Sequence, residues 1–183
     1  MLPRLVPLLL LLTAASSALG IDPARASGNP DARVLLHVIP NSYDFYCHAS
    51  REMPACADVK TSASLYPTLY NAFLLVVGGS ATEGVSAVTC GIEYEGGQLD
   101  GSGLDIFGWG LCAPLQYAHG APAWPGPGSS NLVIWDATSA CQRSEPGGAG
   151  TGVVARAGYF YCAAYTPATL RIGYSQHAGH VGK

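Results

Sequence analysis

Charged side chains are scarce in this 183-residue sequence: they make up 11% of it, where about 25% is usual. The nine Lys and Arg residues form no basic block, and the formal net charge is −3. Nucleic acids and anionic membranes are bound through clustered positive charge, so the composition disfavours both as partners. Small and polar residues must cover much of the surface, which would suit contact with sugars or with other copies of the chain.

Long apolar runs are also lacking. The run at residues 5–12 is interrupted by Pro7 and is well short of the ~20 residues that cross a bilayer. Arg4 precedes this run and Ala18-Leu19-Gly20 follows it, which is the pattern of a signal peptide. We therefore expect residues 1–20 to be a signal peptide and the product to be secreted, periplasmic or at the cell surface, without membrane insertion. No cysteine follows Gly20, so a lipid anchor is not expected.

Helical periodicity is missing as well, although residues 61–71 could hold one helical turn. Short β-branched or alternating runs, each bounded by Gly, Pro, Asn or Ser, predict strands instead. The predicted strands are Val34–Ile39, Leu69–Val77, Val85–Tyr94, Gly103–Leu111, Asn131–Ala137, Val153–Tyr165 and Leu170–Tyr174. This density of strands predicts an all-β fold, a single two-sheet antiparallel sandwich of Ig-like or jelly-roll-like type, with a closed β-barrel as the alternative.

The chain has the length of one domain. Residues 21–32 are rich in Gly, Pro, Ala and Asp and lack periodicity, which predicts a flexible leader. We expect the β-sandwich domain to span residues 33–175 and a flexible C-terminal tail to span residues 176–183.

Cysteine pairs with C-x-x-C spacing are absent, which disfavours a zinc site. In an exported chain the six cysteines predict three disulfides that staple the domain, with fifteen possible connectivities. Cys47 and Cys56 flank a short polar loop, Cys90 and Cys162 lie inside apolar strands, and Cys112 and Cys141 each follow a strand that contains tryptophan. The favoured pairs are therefore Cys47–Cys56, Cys90–Cys162 and Cys112–Cys141.

Patterns that would carry catalysis or bind metal are weak. The G-x-S-x-G elbow of α/β-hydrolases is absent, and six paired cysteines leave no catalytic thiol. Asp100 begins a sequence like a calcium loop, but Leu104 and Asp105 break the ligand pattern, so a polar turn is expected. His177 and His180 have chelating spacing but belong to the predicted tail. We expect no catalytic residue, no metal and no cofactor.

Aromatic side chains are the more informative feature. Alternation along a strand would place Tyr159, Tyr161 and Tyr165 on one face, opposite Phe160 and Cys162. If Phe160 and Cys162 face the core, the tyrosines form an outward stripe, and such rings can hold sugar rings while their hydroxyls form hydrogen bonds.

Trp124 stands in a loop rich in Pro and Gly, where binding residues concentrate. It completes the predicted contact set with the three tyrosines. The alternative is that the tyrosine stripe covers a second layer and Trp124 fills one end of the sandwich. Trp109 and Trp135 alternate with apolar residues and are expected in the core.

Three segments carry a resemblance to known sequences. They are Gly103–Cys112 (GLDIFGWGLC), Asn131–Asp136 (NLVIWD) with Cys141, and Ala157–Tyr165 (AGYFYCAAY). These segments resemble uncharacterised exported proteins from environmental bacterial genomes, which implies export from a bacterial cell and no particular activity. The strand order is also similar to that of cohesins and carbohydrate-binding modules, although a shared fold does not establish function.

These observations together predict an exported, non-catalytic binding or surface-interaction domain. Carbohydrate is the first ligand class, and another cell-surface protein is the other class of partner. A structural, self-associating surface module and a secreted hydrolase are the alternatives.

Overall fold

The computed structural model describes residues 29–42, 47, 53–96 and 99–173. This part of the chain forms two four-stranded antiparallel sheets, and neither closes into a barrel. The predicted two-sheet sandwich is therefore confirmed. The predicted signal peptide, His177, His180 and the predicted tail lie outside the described residues.

Sheet 1 consists, in spatial order, of β1 (Arg33–Pro40), β2 (Tyr70–Gly79), β7 (Val153–Ala164) and β4 (Leu104–Leu111). Sheet 2 consists of β5 (Leu115–His119), β6 (Ser130–Ile134), β3 (Ala87–Glu93) and β8 (Arg171–Gly173). A single 3₁₀ turn, Cys56–Asp58, precedes β2. In the described part of the chain, no helix is long and apolar enough to cross a membrane.

The core forms between the sheets, because alternate residues of each strand point inward. Leu74 and Phe160 reach it from sheet 1, and Ile92 and Val133 reach it from sheet 2. All four side chains are fully buried. Burying each one stabilises the fold by about 1.5–3 kcal/mol relative to leaving it exposed.

Strand β2 is buried on both faces, as its apolar sequence predicts for a central strand. Leu74 packs in the main core, whereas Phe73 and Leu75 form a second cluster with Met53 on the outer side of sheet 1. The segment at residues 53–58 thus covers the β1–β2 half of that outer side. The β7–β4 half carries the aromatic side chains described below.

Strand β5 was not predicted from the sequence, because it has only five residues and an exposed, mixed sequence. The chain leaves sheet 1 at Leu111 and enters sheet 2 at Leu115. The indole Nε1–H of Trp109 donates to Gln116 Oε1 at 2.9 Å and so connects the two strands across this passage. Residues 61–65 form no helix, and the only helical turn in the described ranges is Cys56–Asp58.

Asn29, assigned above to the flexible leader, is bound to the body of the domain. Its side-chain Nδ2 donates to the Gly84 carbonyl at 2.7 Å, and its Oδ1 accepts from the Ser80 N–H at 2.6 Å. These bonds join Asn29 to the turn between β2 and β3.

The predicted pairs Cys47–Cys56 and Cys112–Cys141 are wrong, because the structure joins Cys47 to Cys112. The Cys112 N–H donates to the Ala157 carbonyl at 2.9 Å, which holds this residue at the edge of sheet 1. Cys141 lies in a different part of the fold, because its neighbour Gln142 forms a β-bridge with Val85. It is a free thiol. Pairing cysteines that are close in sequence, or that follow similar strands, therefore predicted the wrong partners.

The predicted pair Cys90–Cys162 is also wrong, since both cysteines are buried free thiols. Cys90 belongs to β3 in sheet 2 and Cys162 to β7 in sheet 1, so they enter the core from opposite sides. An inter-sheet disulfide needs the two Cα atoms to lie within about 7 Å of each other, and the structure leaves both sulfurs unjoined. Their burial in the core, which the sequence did predict, is confirmed.

Candidate functional site: an aromatic face on sheet 1

Strand β7 separates its side chains as its alternation predicts. Phe160 and Cys162 are buried in the core. Tyr159 and Tyr161 lie on the opposite, outer side and are half-buried. Tyr165 follows the strand end and is also half-buried. The outward tyrosine stripe therefore exists, and its three members have different neighbours.

Tyr159 belongs to the packed part of the outer side. Its ring lies 5.7 Å from that of Phe73, centroid to centroid, at the margin of the outer cluster. It also covers Gly110 of β4, where an added Cβ would collide with the tyrosine ring. Tyr159 therefore fits the alternative interpretation, in which the tyrosines cover a second layer of residues.

Tyr161 is paired with a residue that the sequence analysis did not select. Its ring centroid lies 5.3 Å from that of Phe107 on β4, and Phe107 is 39% exposed. A β-bulge between Ile106 and Gly108 interrupts the alternation at this point. Phe107 therefore projects outward while Trp109, two residues later, packs against the core.

Tyr165 is paired with a second residue that the sequence analysis missed. It stacks on Tyr66 with ring centroids 4.8 Å apart and an interplanar angle of 23°. Backbone bonds fix both residues, since the Tyr66 N–H donates to Ala164 O at 2.7 Å and the Tyr165 N–H donates to Gly103 O at 2.8 Å. Tyr66 is 55% exposed. We call Tyr66, Phe107, Tyr161 and Tyr165 the aromatic face.

A carboxylate lies close to the aromatic face. Asp105 on β4 is 1% exposed, and its Oδ2 accepts from the Gly101 N–H at 3.0 Å. Its Oδ1 has no hydrogen-bond partner among the described residues. The pKa of Tyr165 is raised above its ordinary value. Desolvation is the main cause, and the electrostatic influence of Asp105, Tyr66 and Tyr161 adds to it. These four residues are thus close enough to influence one another.

The turn at residues 100–103 borders the face and is a polar turn, as expected. Asp100 Oδ1 accepts from the Ser102 N–H at 3.0 Å and from the Ser102 hydroxyl at 2.7 Å. These hydrogen bonds lower the pKa of Asp100. The carboxylate is therefore ionised at neutral pH. The residues described contain no cluster of three His, Cys, Asp or Glu side chains that could hold a metal ion.

Trp124 lies on the other side of β7 from the tyrosines. Its ring meets Trp109 edge-on at 5.3 Å and lies 5.4 Å from Phe160, a core residue. It packs against the main core, so the structure does not bring it together with the aromatic face.

Comparisons with known proteins assign neither a family nor a function. No family model, no curated protein and no solved structure matches the sequence. The resemblance to exported bacterial proteins therefore stays a prediction.

A pocket of about 320 Å³ lies beside the outer cluster, and its lining includes His37 and Arg156. His37 Nδ1 accepts from the Lys60 N–H at 3.0 Å, and burial, followed by the charge of Lys60, lowers the pKa of His37. Its imidazole is therefore neutral at pH 7. The guanidinium of Arg156 lies 5.3 Å above the ring of Phe73 and donates to Met53 Sδ at 2.9 Å. These contacts give both side chains a structural role.

Proposed function

We propose that the aromatic face binds carbohydrate and that the protein is a non-catalytic binding domain acting outside the cytoplasm. The observation that carries the proposal is the pair of ring contacts, Tyr66–Tyr165 and Phe107–Tyr161, on one outward side of sheet 1. Exposed rings in that arrangement suit the apolar faces of sugars, and the tyrosine hydroxyls can bond to sugar hydroxyls. The Cys47–Cys112 disulfide supports an oxidising compartment.

The charges beside the face narrow the ligand class. Asp100 is ionised and stands in the turn that borders Tyr165, and Asp105 lies beneath the same turn. A sulfated or uronic-acid glycan would place its negative charge against the ionised Asp100 carboxylate, and like charges repel. We therefore expect neutral glycans to be preferred.

Tyr165→Ala is expected to weaken glycan binding about tenfold, which corresponds to roughly 1.4 kcal/mol. The substitution removes one ring of the Tyr66–Tyr165 stack, and Phe107→Ala should have a similar effect on the other ring pair. A glycan array of neutral and acidic glycans would identify a ligand. Isothermal titration calorimetry with that soluble oligosaccharide would then measure the affinity of each variant.

Tyr117→Ala is the matched control, because Tyr117 is also an exposed tyrosine but lies on β5 in sheet 2. It should bind like the unmodified protein. An array without hits would defeat the carbohydrate proposal, and so would equal losses in the Tyr165 and Tyr117 variants.

Self-association is a second candidate function, favoured by the outer side of sheet 2. Leu115 and Tyr117 are exposed on β5, and their register partners Ile134 and Leu132 on β6 lie beside them. In the described part of the chain, β5 is an edge strand, and an edge with exposed apolar residues and no Lys, Arg, Asp or Glu is a template for pairing with another chain.

Leu115→Lys is expected to shift any dimer to monomer, because a charge on the edge strand opposes edge-to-edge pairing. Light scattering across a concentration series would measure the mass. Leu65→Lys, which alters an exposed leucine in a loop, should leave the mass unchanged. A protein that is monomeric at every concentration would rule out this candidate.

A further inference from the structure

A cavity of about 690 Å³ lies on the core side of sheet 1, whereas the aromatic face lies on the outer side. Its walls are formed by inward-facing residues of sheet 1, and the segments 61–65 and 167–170 border it. Residues that contribute apolar surface include Leu36, Val38, Ala72, Leu104, Ala164 and Ile172. Its volume falls within the roughly 300–1,000 Å³ of typical small-molecule sites.

The topology explains why the cavity forms at this edge. Strand β1 ends sheet 1 and has eight residues, whereas β8 ends sheet 2 and has three. The shorter strand cannot cover the full length of the longer one. Connecting segments without regular structure complete the wall, and they leave space between the layers.

The chemistry of the wall is mostly apolar and uncharged. None of the described residues that line it is Asp, Glu, Lys, Arg or His. One polar feature of the wall is the Tyr70–Ser64 pair, in which Tyr70 is buried and Ser64 is exposed. Tyr70 Oη accepts from the Ser64 N–H at 3.1 Å and is hydrogen-bonded to Ser64 Oγ. An ionised group placed against these walls would lose hydration without gaining a partner of opposite charge, so an uncharged ligand is favoured.

We infer that this cavity binds an uncharged, largely apolar small molecule that carries one hydroxyl group, with the hydroxyl directed at the Tyr70–Ser64 pair. The apolar body contacts the aliphatic walls, and the Tyr70 hydroxyl supplies an orienting hydrogen bond. The cavity shares no lining residue with the aromatic face, so loss of decanol binding and loss of glycan binding are separate results.

Calorimetry with two matched probes tests the chemistry of the site. The full-length protein is expected to bind 1-decanol saturably and to bind decanoate at least about tenfold more weakly, since the wall offers no positive charge. Tyr70→Phe should weaken decanol binding about threefold to tenfold, the effect of one hydrogen bond. Absence of saturable decanol binding, or equal binding of decanoate, would overturn the inference.

A blocking variant tests the location. Ala164→Phe places a large ring in the cavity and should reduce decanol affinity at least about tenfold. Ala118→Phe is the control, because Ala118 is exposed on β5 and does not line this cavity. Loss of binding in both variants, or in neither, would contradict the assigned site.

The free thiols give a second measurement that needs no substitution. Cys162 lines the cavity, whereas Cys90 is buried in the same core without lining it. Burial raises the pKa of Cys162 to about 11 and that of Cys90 to about 12, so both react slowly. At a decanol concentration ten times Kd, modification of Cys162 by a neutral aromatic disulfide should slow about tenfold. Modification of Cys90, followed by peptide mass spectrometry, should not change; equal protection of both thiols would indicate general stabilisation and overturn the inference.

Discussion

Removal of the disulfide by a double Cys47→Ala and Cys112→Ala substitution is expected to lower the free energy of unfolding by about 4 kcal/mol. The two cysteines are 65 residues apart in sequence, and a cross-link over such a span removes a large share of the conformational entropy of the unfolded chain. Domains of this size are stable by only ~5–15 kcal/mol. Urea denaturation of the oxidised parent and the double variant would measure the difference.

Cys141→Ala is the matched control for this experiment. Cys141 is a free, half-buried thiol, so its replacement should change the stability by less than about 0.5 kcal/mol. Peptide mapping without reduction should recover Cys47 linked to Cys112. A Cys47–Cys56 link, or a double variant as stable as the parent, would contradict the pairing in the structure.

Strand patterns were predictable because they depend on local alternation. Burial of Phe160 and Cys162 opposite the tyrosines follows from the period-2 geometry of one strand. The central position of β2 follows in the same way from its apolar sequence. Such signals need no knowledge of which strands are neighbours.

Contacts between distant segments were not predictable, because they depend on topology and on irregular backbone. Phe107 faces outward beside a bulge that the sequence does not mark. Tyr66 comes from a loop and meets Tyr165 only because backbone bonds bring that loop against the end of β7. The pairing of Cys47 with Cys112 depends in the same way on where β4 ends.

Phe160→Ala is expected to destabilise the protein by about 3–5 kcal/mol, the usual cost of truncating a buried phenylalanine. Phe160 is fully buried, and its ring packs against Trp109 at 4.7 Å and Trp124 at 5.4 Å. Truncation leaves a cavity beside the two indole rings. The melting temperature should fall by roughly 6–20 °C, as measured by calorimetry.

The next residue along β7 should show the opposite combination of effects. Tyr161→Ala alters a half-buried ring on the outer side of the sheet, so its cost in stability should be about 1 kcal/mol. If the aromatic face binds glycans, this variant loses affinity while it remains folded, whereas Phe160→Ala loses stability first. A Phe160→Ala variant that melts like the parent would contradict the packing of the two tryptophans. A larger stability loss at Tyr161 than at Phe160 would mean that the strand faces are assigned the wrong way round.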